Sequence, residues 1–188
     1  MMSSPVTPSV PAGILLHVCC GPCASACVEH LLAENRNCIL YYSNSNLVHE
    51  AEFLRRLECV KALARYHNVE LIVDPYDHDA WQKSVAEQCP DYAAQPERGA
   101  RCRACFSYSL SRTALQAAAL GIPFCTSLTV SPHKNSRLIF EIGSSWEHFE
   151  SWDFKKKDGF KRSLELSKQF GFYRQDFCGC LYSMRQEK

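Results

Sequence analysis

Apolar positions along this chain alternate between two rhythms. Gly13–Val18 (G-I-L-L-H-V) is a short, nearly continuous apolar run, the pattern of a buried strand. Gly21 and Pro22 then force a turn, and Ala24–Leu32 resumes with helix formers. Cys38–Tyr42 reads as a second strand running into the polar loop S-N-S-N. Ala51–His67 places Phe53, Leu57, Val60 and Ala64 at helical spacing, with Asn68 as its stop. Val69–Val73 is a third strand and His78–Ala86 a short helix. Cys89–Gly99, carrying Pro90 and Pro96, is a loop. Cys102–Leu120 is helical, ended by Gly121 with Pro123 just beyond. Phe124–Val130 is a fourth strand, opening into S-P-H-K at Ser131–Lys134, and Asn135–Ile142 is a further helix. Strands alternating with helices predict an α/β fold: a Rossmann-like parallel sheet flanked by helices. From Ser151 the strand rhythm stops and a basic helical and loop extension follows.

The 188 residues are enough for one sizeable core, with 46% apolar and 22% charged content. Residues 1–12, rich in proline and serine, read as a flexible tail, and 13–188 as a single domain. The tail lacks a basic start and an apolar stretch, so it is not a signal peptide, and nothing approaches a membrane span. The expected compartment is the cytoplasm. A formal net charge of +1 implies no polyanion partner by itself, so any nucleic-acid surface must be local.

Twelve cysteines change that ordinary picture. Without an export signal they indicate metal or redox chemistry rather than a disulfide framework. Cys19, Cys20 and Cys23 (H-V-C-C-G-P-C) fall at a strand-to-helix turn, where open α/β sheets place ligands, although adjacent cysteines rarely share one zinc. Cys102 and Cys105 form a C-x-x-C behind Arg101 at a helix start, where a cation and the helix dipole favour thiolate. Taken alone, that pair reads equally well as two buried thiols. Cys178-Gly179-Cys180 closes the chain with two sulfurs around a glycine that lets backbone fold closely about a ligand. Seven thiols exceed what one tetrahedral zinc needs and suit an iron–sulfur cluster, with ligands left over for a second metal. Cys27, Cys38, Cys59, Cys89 and Cys125 read as structural.

With H-V-C-C-G-P-C, R-C-x-x-C, S-P-H-K and the closing S-K-x-x-G-x-Y-R-Q-x-x-C-G-C together, the chain resembles QueH-type epoxyqueuosine reductases from Gly13 to Ser183. The resemblance implies reduction of the epoxide of epoxyqueuosine in tRNA to an alkene, the last step of queuosine synthesis. It also implies an iron–sulfur cofactor and no cobalamin. Carried over, the family's metal-binding cysteines fall on Cys19, Cys20, Cys102, Cys105, Cys178 and Cys180. Cys23 stands where the family carries Cys or Asp. The expected cofactor is a 4Fe-4S cluster, with an adjacent mononuclear iron as the candidate second site. Two positions depart from the family: Asn44-Ser45-Asn46 replaces N-P-N, and Ser109 stands where an arginine follows the C-x-x-C, leaving Arg112 as its substitute.

Removing an epoxide oxygen as water consumes two electrons and two protons, so an external electron donor and a proton source are required. His17, His133, Tyr173 and Asp176 lie near the motifs; His133 and Asp176 are the candidate donors, and His17 reads as a core histidine. From Lys155 to Arg174 there are seven Lys/Arg against two Asp/Glu. Lys155, Lys156, Lys157, Lys161, Arg162, Lys168 and Arg174, interleaved with Phe160, Phe170, Phe172 and Tyr173, form the expected tRNA surface. The rivals are a zinc-stabilised RNA-binding module and a thiol–disulfide oxidoreductase using Cys102 and Cys105. A nucleotide-binding enzyme ranks last, since no G-x-G-x-x-G or P-loop occurs.

Overall fold

The computed structural model describes residues 13–184, so the expected tail at 1–12 lies outside the described residues. Strands β1 (Gly13–Val18), β2 (Asn37–Tyr42), β3 (Leu71–Val73) and β4 (Phe124–Thr126) form one parallel sheet in the order β3-β2-β1-β4. Its helices are α1 (Gly21–Ala33), α2 (Glu50–His67), α3 (His78–Gln88), α4 (Ala100–Leu120), α5 (Ser136–Gly143) and α6 (Gly159–Gln169).

Strand β1 is central, with Leu16 opposite Leu40 on one side and Cys125 on the other. Its side chains serve two cores, as expected of a strand buried on both faces. Ile14, Leu16 and Val18 pack with residues of α1 and α2, while Leu15 packs with α4 and α5. Helix α6, the regular part of the basic extension, lies against α1. No helix among the described residues is long and apolar enough to cross a membrane.

Three of the boundaries that differ from the sequence expectation do so for an evident local reason. Strand β4 ends at Thr126 rather than Val130, because Thr126 Oγ1 accepts the Leu128 N–H (3.1 Å) and turns Ser127–Val130 into a 3-10 helix. Strand β3 starts two residues late, because Val69 spends its N–H on the Ala64 carbonyl (3.0 Å) behind left-handed Asn68. Helix α1 starts at Gly21, not Ala24, with Pro22 in its first turn, where a missing N–H costs nothing. A Cβ on Gly21 would lie 2.7 Å from Cys59 Cβ and 3.0 Å from its carbonyl carbon, so glycine is what lets α1 approach α2.

Candidate metal centre

The strand order reverses direction between β1 and β4, and the crevice beyond the carboxyl ends of such a pair is where open α/β sheets bind ligands. The Cys19 N–H donates to Ser127 Oγ (3.2 Å), tying the ends of the two strands together. The sulfurs of Cys19, Cys20 and Cys23 lie within 4.8 Å of one another, the one such group of His, Cys, Asp and Glu ligand atoms among the described residues. The adjacent pair meets at one point because Cys19 follows the strand while Cys20 is already the helix cap, its sulfur accepting the Cys23 N–H (3.4 Å).

That packing divides the triad electrostatically. Cys20 is pulled well below the ordinary cysteine range by hydrogen bonds from Cys19, Cys23 and Gln175. Cys19, whose proton is shared with Cys20, is pushed up to about 11. Cys23 is likewise raised, with Cys19 and Cys20 holding its proton. One sulfur is therefore primed as thiolate, the form that ligates metal.

The remaining four predicted ligands, Cys102, Cys105, Cys178 and Cys180, line one cavity. No three of these sulfurs are as close as the triad, so the expected single group of seven resolves into a tight triad and a looser foursome. One side chain contacts each set. Gln175 Nε2 donates to Cys20 Sγ (3.0 Å), and Lys134 Nζ donates to Cys178 Sγ (3.1 Å). Burial works against the Lys134 charge, but Cys178 and Cys19 outweigh it and hold the ammonium charged.

Arg101 does not play the part its position suggested. Its guanidinium donates to the carbonyls of Tyr92 (2.8 Å) and Gln95 and stacks over Tyr182, with no bond to Cys102 among the described residues. It staples the loop before α4. Burial raises both Cys102 and Cys105 above the ordinary thiol range. That is the opposite of the lowered thiol an oxidoreductase needs.

The tail reaches the site through α2. Arg56, 2% exposed, donates to the carbonyls of Cys178 (2.9 Å) and Phe177 (3.3 Å) and to Glu52 (2.6 Å). Glu52 also accepts from the Tyr173 hydroxyl (3.3 Å), and the Arg55 guanidinium covers the Tyr173 ring. Gly179 sits at φ +136° with its would-be Cβ 2.2 Å from Leu47 Cδ2, and its carbonyl accepts the Val48 N–H (3.1 Å). The loop after β2 docks without the family's proline, since Asn44 Nδ2 donates to the Val18 carbonyl (2.8 Å) and Asn46 lines the cavity.

Of the proposed proton donors, His133 lines the cavity and is exposed. Asp176 is exposed and lies off the cavity lining. His17 is a core residue: its Nε2 donates to the Ser43 carbonyl (3.1 Å), its Nδ1 accepts from Thr126 Oγ1 (2.9 Å), and burial lowers its pKa. Sequence reasoning passed over Lys134, next to His133 in the same motif, and Trp81, Asn46 and Arg98, which also line the cavity. Arg112 is bound to Asp74 through Nε (3.0 Å) and Nη2, so the vacated arginine position at Ser109 is not filled by a free guanidinium.

The basic extension divides as well. Lys156, Lys161, Lys168 and Arg174 are exposed. Lys155 instead donates to the Lys134 carbonyl (2.6 Å) and Ser136 Oγ (2.9 Å), a structural strut under the cavity wall. Arg162 pairs with Glu29 through two bonds (2.8 and 3.0 Å), and Lys157 with Glu34 (3.4 Å). Phe170 and Phe172 pack on the α1–α2 core and on each other rather than offering open stacking faces.

The family model described as epoxyqueuosine reductase QueH matches residues 14–186. Curated proteins named epoxyqueuosine reductase QueH are similar along nearly the whole chain. The Acinetobacter baylyi protein is 36% identical, the alignment covering 92% of this chain and 80% of that one. The Streptococcus pyogenes protein is 34% identical over 95% and 73% of the two chains. The Thermotoga maritima protein is 32% identical over 93% of each. With that match spanning both strand-end cysteines and the tail dithiol, the chain belongs to the epoxyqueuosine reductase QueH family.

Proposed function

We propose that this chain reduces the epoxide of epoxyqueuosine in tRNA to the alkene of queuosine, using electrons from an external donor and no cobalamin. The observations that carry the reading are a close triad of front thiols and a cavity lined by the middle and end thiols, with Lys134 bonded to Cys178 and under the charge of Cys19. The donor set is soft sulfur supplied with N–H partners, which suits iron–sulfur ligation. Cys19, Cys20, Cys102, Cys105, Cys178 and Cys180 would hold a 4Fe-4S cluster and, together with Cys23, an adjacent iron. When bound, such a centre delivers electrons one at a time and provides a Lewis-acidic iron.

The overall change breaks both C–O bonds of the epoxide, forms the C=C bond and releases water, at a cost of two electrons and two protons. The chain's own residues supply the rest. Lys134 keeps a positive charge at the cavity wall, where negative charge gathers on the departing oxygen. His133, whose side chain reaches the cavity from the exposed side, hands on the protons. The apolar flank of Phe106 and Leu138 limits water around the reacting carbons. Lys156, Lys161, Lys168 and Arg174 contact the tRNA backbone.

The test is anaerobic reconstitution with iron and sulfide, followed by incubation with epoxyqueuosine-containing tRNA, a strong reductant and no cobalamin. Nucleoside analysis should show queuosine. An iron-loaded protein that leaves epoxyqueuosine intact would refute the activity. Zinc as the sole bound metal after anaerobic purification would favour the RNA-binding module instead.

A further inference from the structure

Two side chains beside the ligand cysteines each bury a polar atom without a partner. Gln175 donates from Nε2 to Cys20 Sγ (3.0 Å), while its Oε1 is buried without a partner. Trp81, 2% exposed, buries an indole N–H that has no hydrogen-bond partner. Its ring packs with Val85 and Ala104 in the cluster against which Cys105 lies, and both Trp81 and Cys105 line the cavity. A buried indole N–H without an acceptor carries an uncompensated desolvation cost, which a sulfur ligand carrying negative charge would remove. The Gln175 amide has only one sensible orientation here, because its oxygen turned toward an anionic sulfur would repel it.

We propose that Gln175 and Trp81 are positioning residues that hydrogen-bond the ligand sulfurs of Cys20 and Cys105, and through them set the reduction potential of the metal centre. The physical reason is general. Reduction places additional negative charge on the cluster and its thiolates, and an N–H aimed at sulfur stabilises that charge, raising the potential. The two donors come from different parts of the chain. Trp81 comes from α3 and acts on the helix pair, while Gln175 comes from the tail and acts on the strand-end triad. Backbone N–H groups of Cys23 and Arg98 act in the same sense on Cys20 (3.4 Å) and Cys102 (3.2 Å), but only the side chains can be altered without moving the chain.

This inference rests on the iron–sulfur reading above, and the experiment separates the two. Trp81→Phe keeps the ring and removes the N–H. Gln175→Leu keeps most of the volume and removes the amide. Val85→Ala, in the same cluster as Trp81, loosens packing without touching a donor. Each full-length protein is reconstituted anaerobically, iron and sulfide are counted, and the midpoint potential is read by EPR-monitored redox titration. W81F and Q175L should bind iron as the parent does and shift the midpoint to more negative values, the double variant by the sum, with V85A unmoved. Each residue stands or falls on its own variant: a fully loaded centre with an unchanged midpoint overturns its role. A V85A shift as large as that of W81F assigns the effect to packing and overturns the Trp81 assignment. A parent chain that takes up no iron removes the cofactor reading and this one together.

Discussion

Replacing Arg56 by methionine should detach the dithiol tail from a protein that otherwise stays folded. Arg56 holds the Phe177 and Cys178 carbonyls from inside α2, with Glu52 fixing its fork at 2.6 Å. Charge-assisted hydrogen bonds are worth about 1.5–3 kcal/mol each. The 2.9 Å bond to Cys178 counts nearly in full and the 3.3 Å bond to Phe177 for less, so the loss for the docked tail is about 3 kcal/mol. At about 1.4 kcal/mol per decade, local opening of the tail should become roughly a hundredfold more frequent. Methionine fills much of the arginine volume, but Glu52 loses its guanidinium, an added cost that Glu52→Gln in the same background should relieve. The readout is hydrogen exchange across residues 173–182 together with alkylation of half-buried Cys180, in protein without iron. R56M should expose both while leaving exchange in β1 and β2 unchanged. Parental exchange and labelling in the R56M tail would refute the claim that this arginine positions the dithiol.

Gly21→Ala should lower the melting temperature by about 2–12 °C, the result of about 1–3 kcal/mol of overpacking in a chain of this size, because the new methyl meets the Cys59 backbone as well as its side chain; calorimetry checks it. Charge reversal at Lys156 and Lys161 should weaken tRNA binding and flatten its salt dependence, whereas Lys155→Met should lower stability and leave the salt slope alone. His17 carries a pH signature: burial lowers its pKa below 6.5, so the unfolded chain binds its proton first. Its contribution to stability is therefore complete above that value and lost as pH falls below it. Urea melts at pH 7.5 and 5.5 should show this decline in the parent and a flatter response in His17→Gln.

The parts of the fold legible in the sequence were those written in neighbouring residues. The apolar run of β1 and the helix stops at Asn68 and Gly121 need only local chemistry: β-branched or leucine-rich spacing, and residues that tolerate a left-handed backbone. What escaped depends on partners distant along the chain. Arg56 meets the tail 121 and 122 residues later, and no periodicity in α2 announces it. Arg101 was read as a thiolate partner because it precedes Cys102, but the two carbonyls it reaches lie in the preceding loop. In S-P-H-K the histidine drew attention for its titration range, while the lysine is the residue whose ammonium contacts sulfur. Even the early end of β4 follows from a single threonine hydroxyl, a competition that strand propensity does not register.

The sulfur of Cys20 does two jobs at once. It opens α1 in place of the usual serine or aspartate oxygen, and it is the most acidic thiol of the triad. Peroxide or an alkylating agent that consumed this atom would strip the first turn of α1 of its acceptor, at about 1 kcal/mol. Since α1 is the shared neighbour of α2 and α6, damage at one atom would be felt by the wall that carries the basic face. Chemical injury to the centre and loosening of the fold are thus one event.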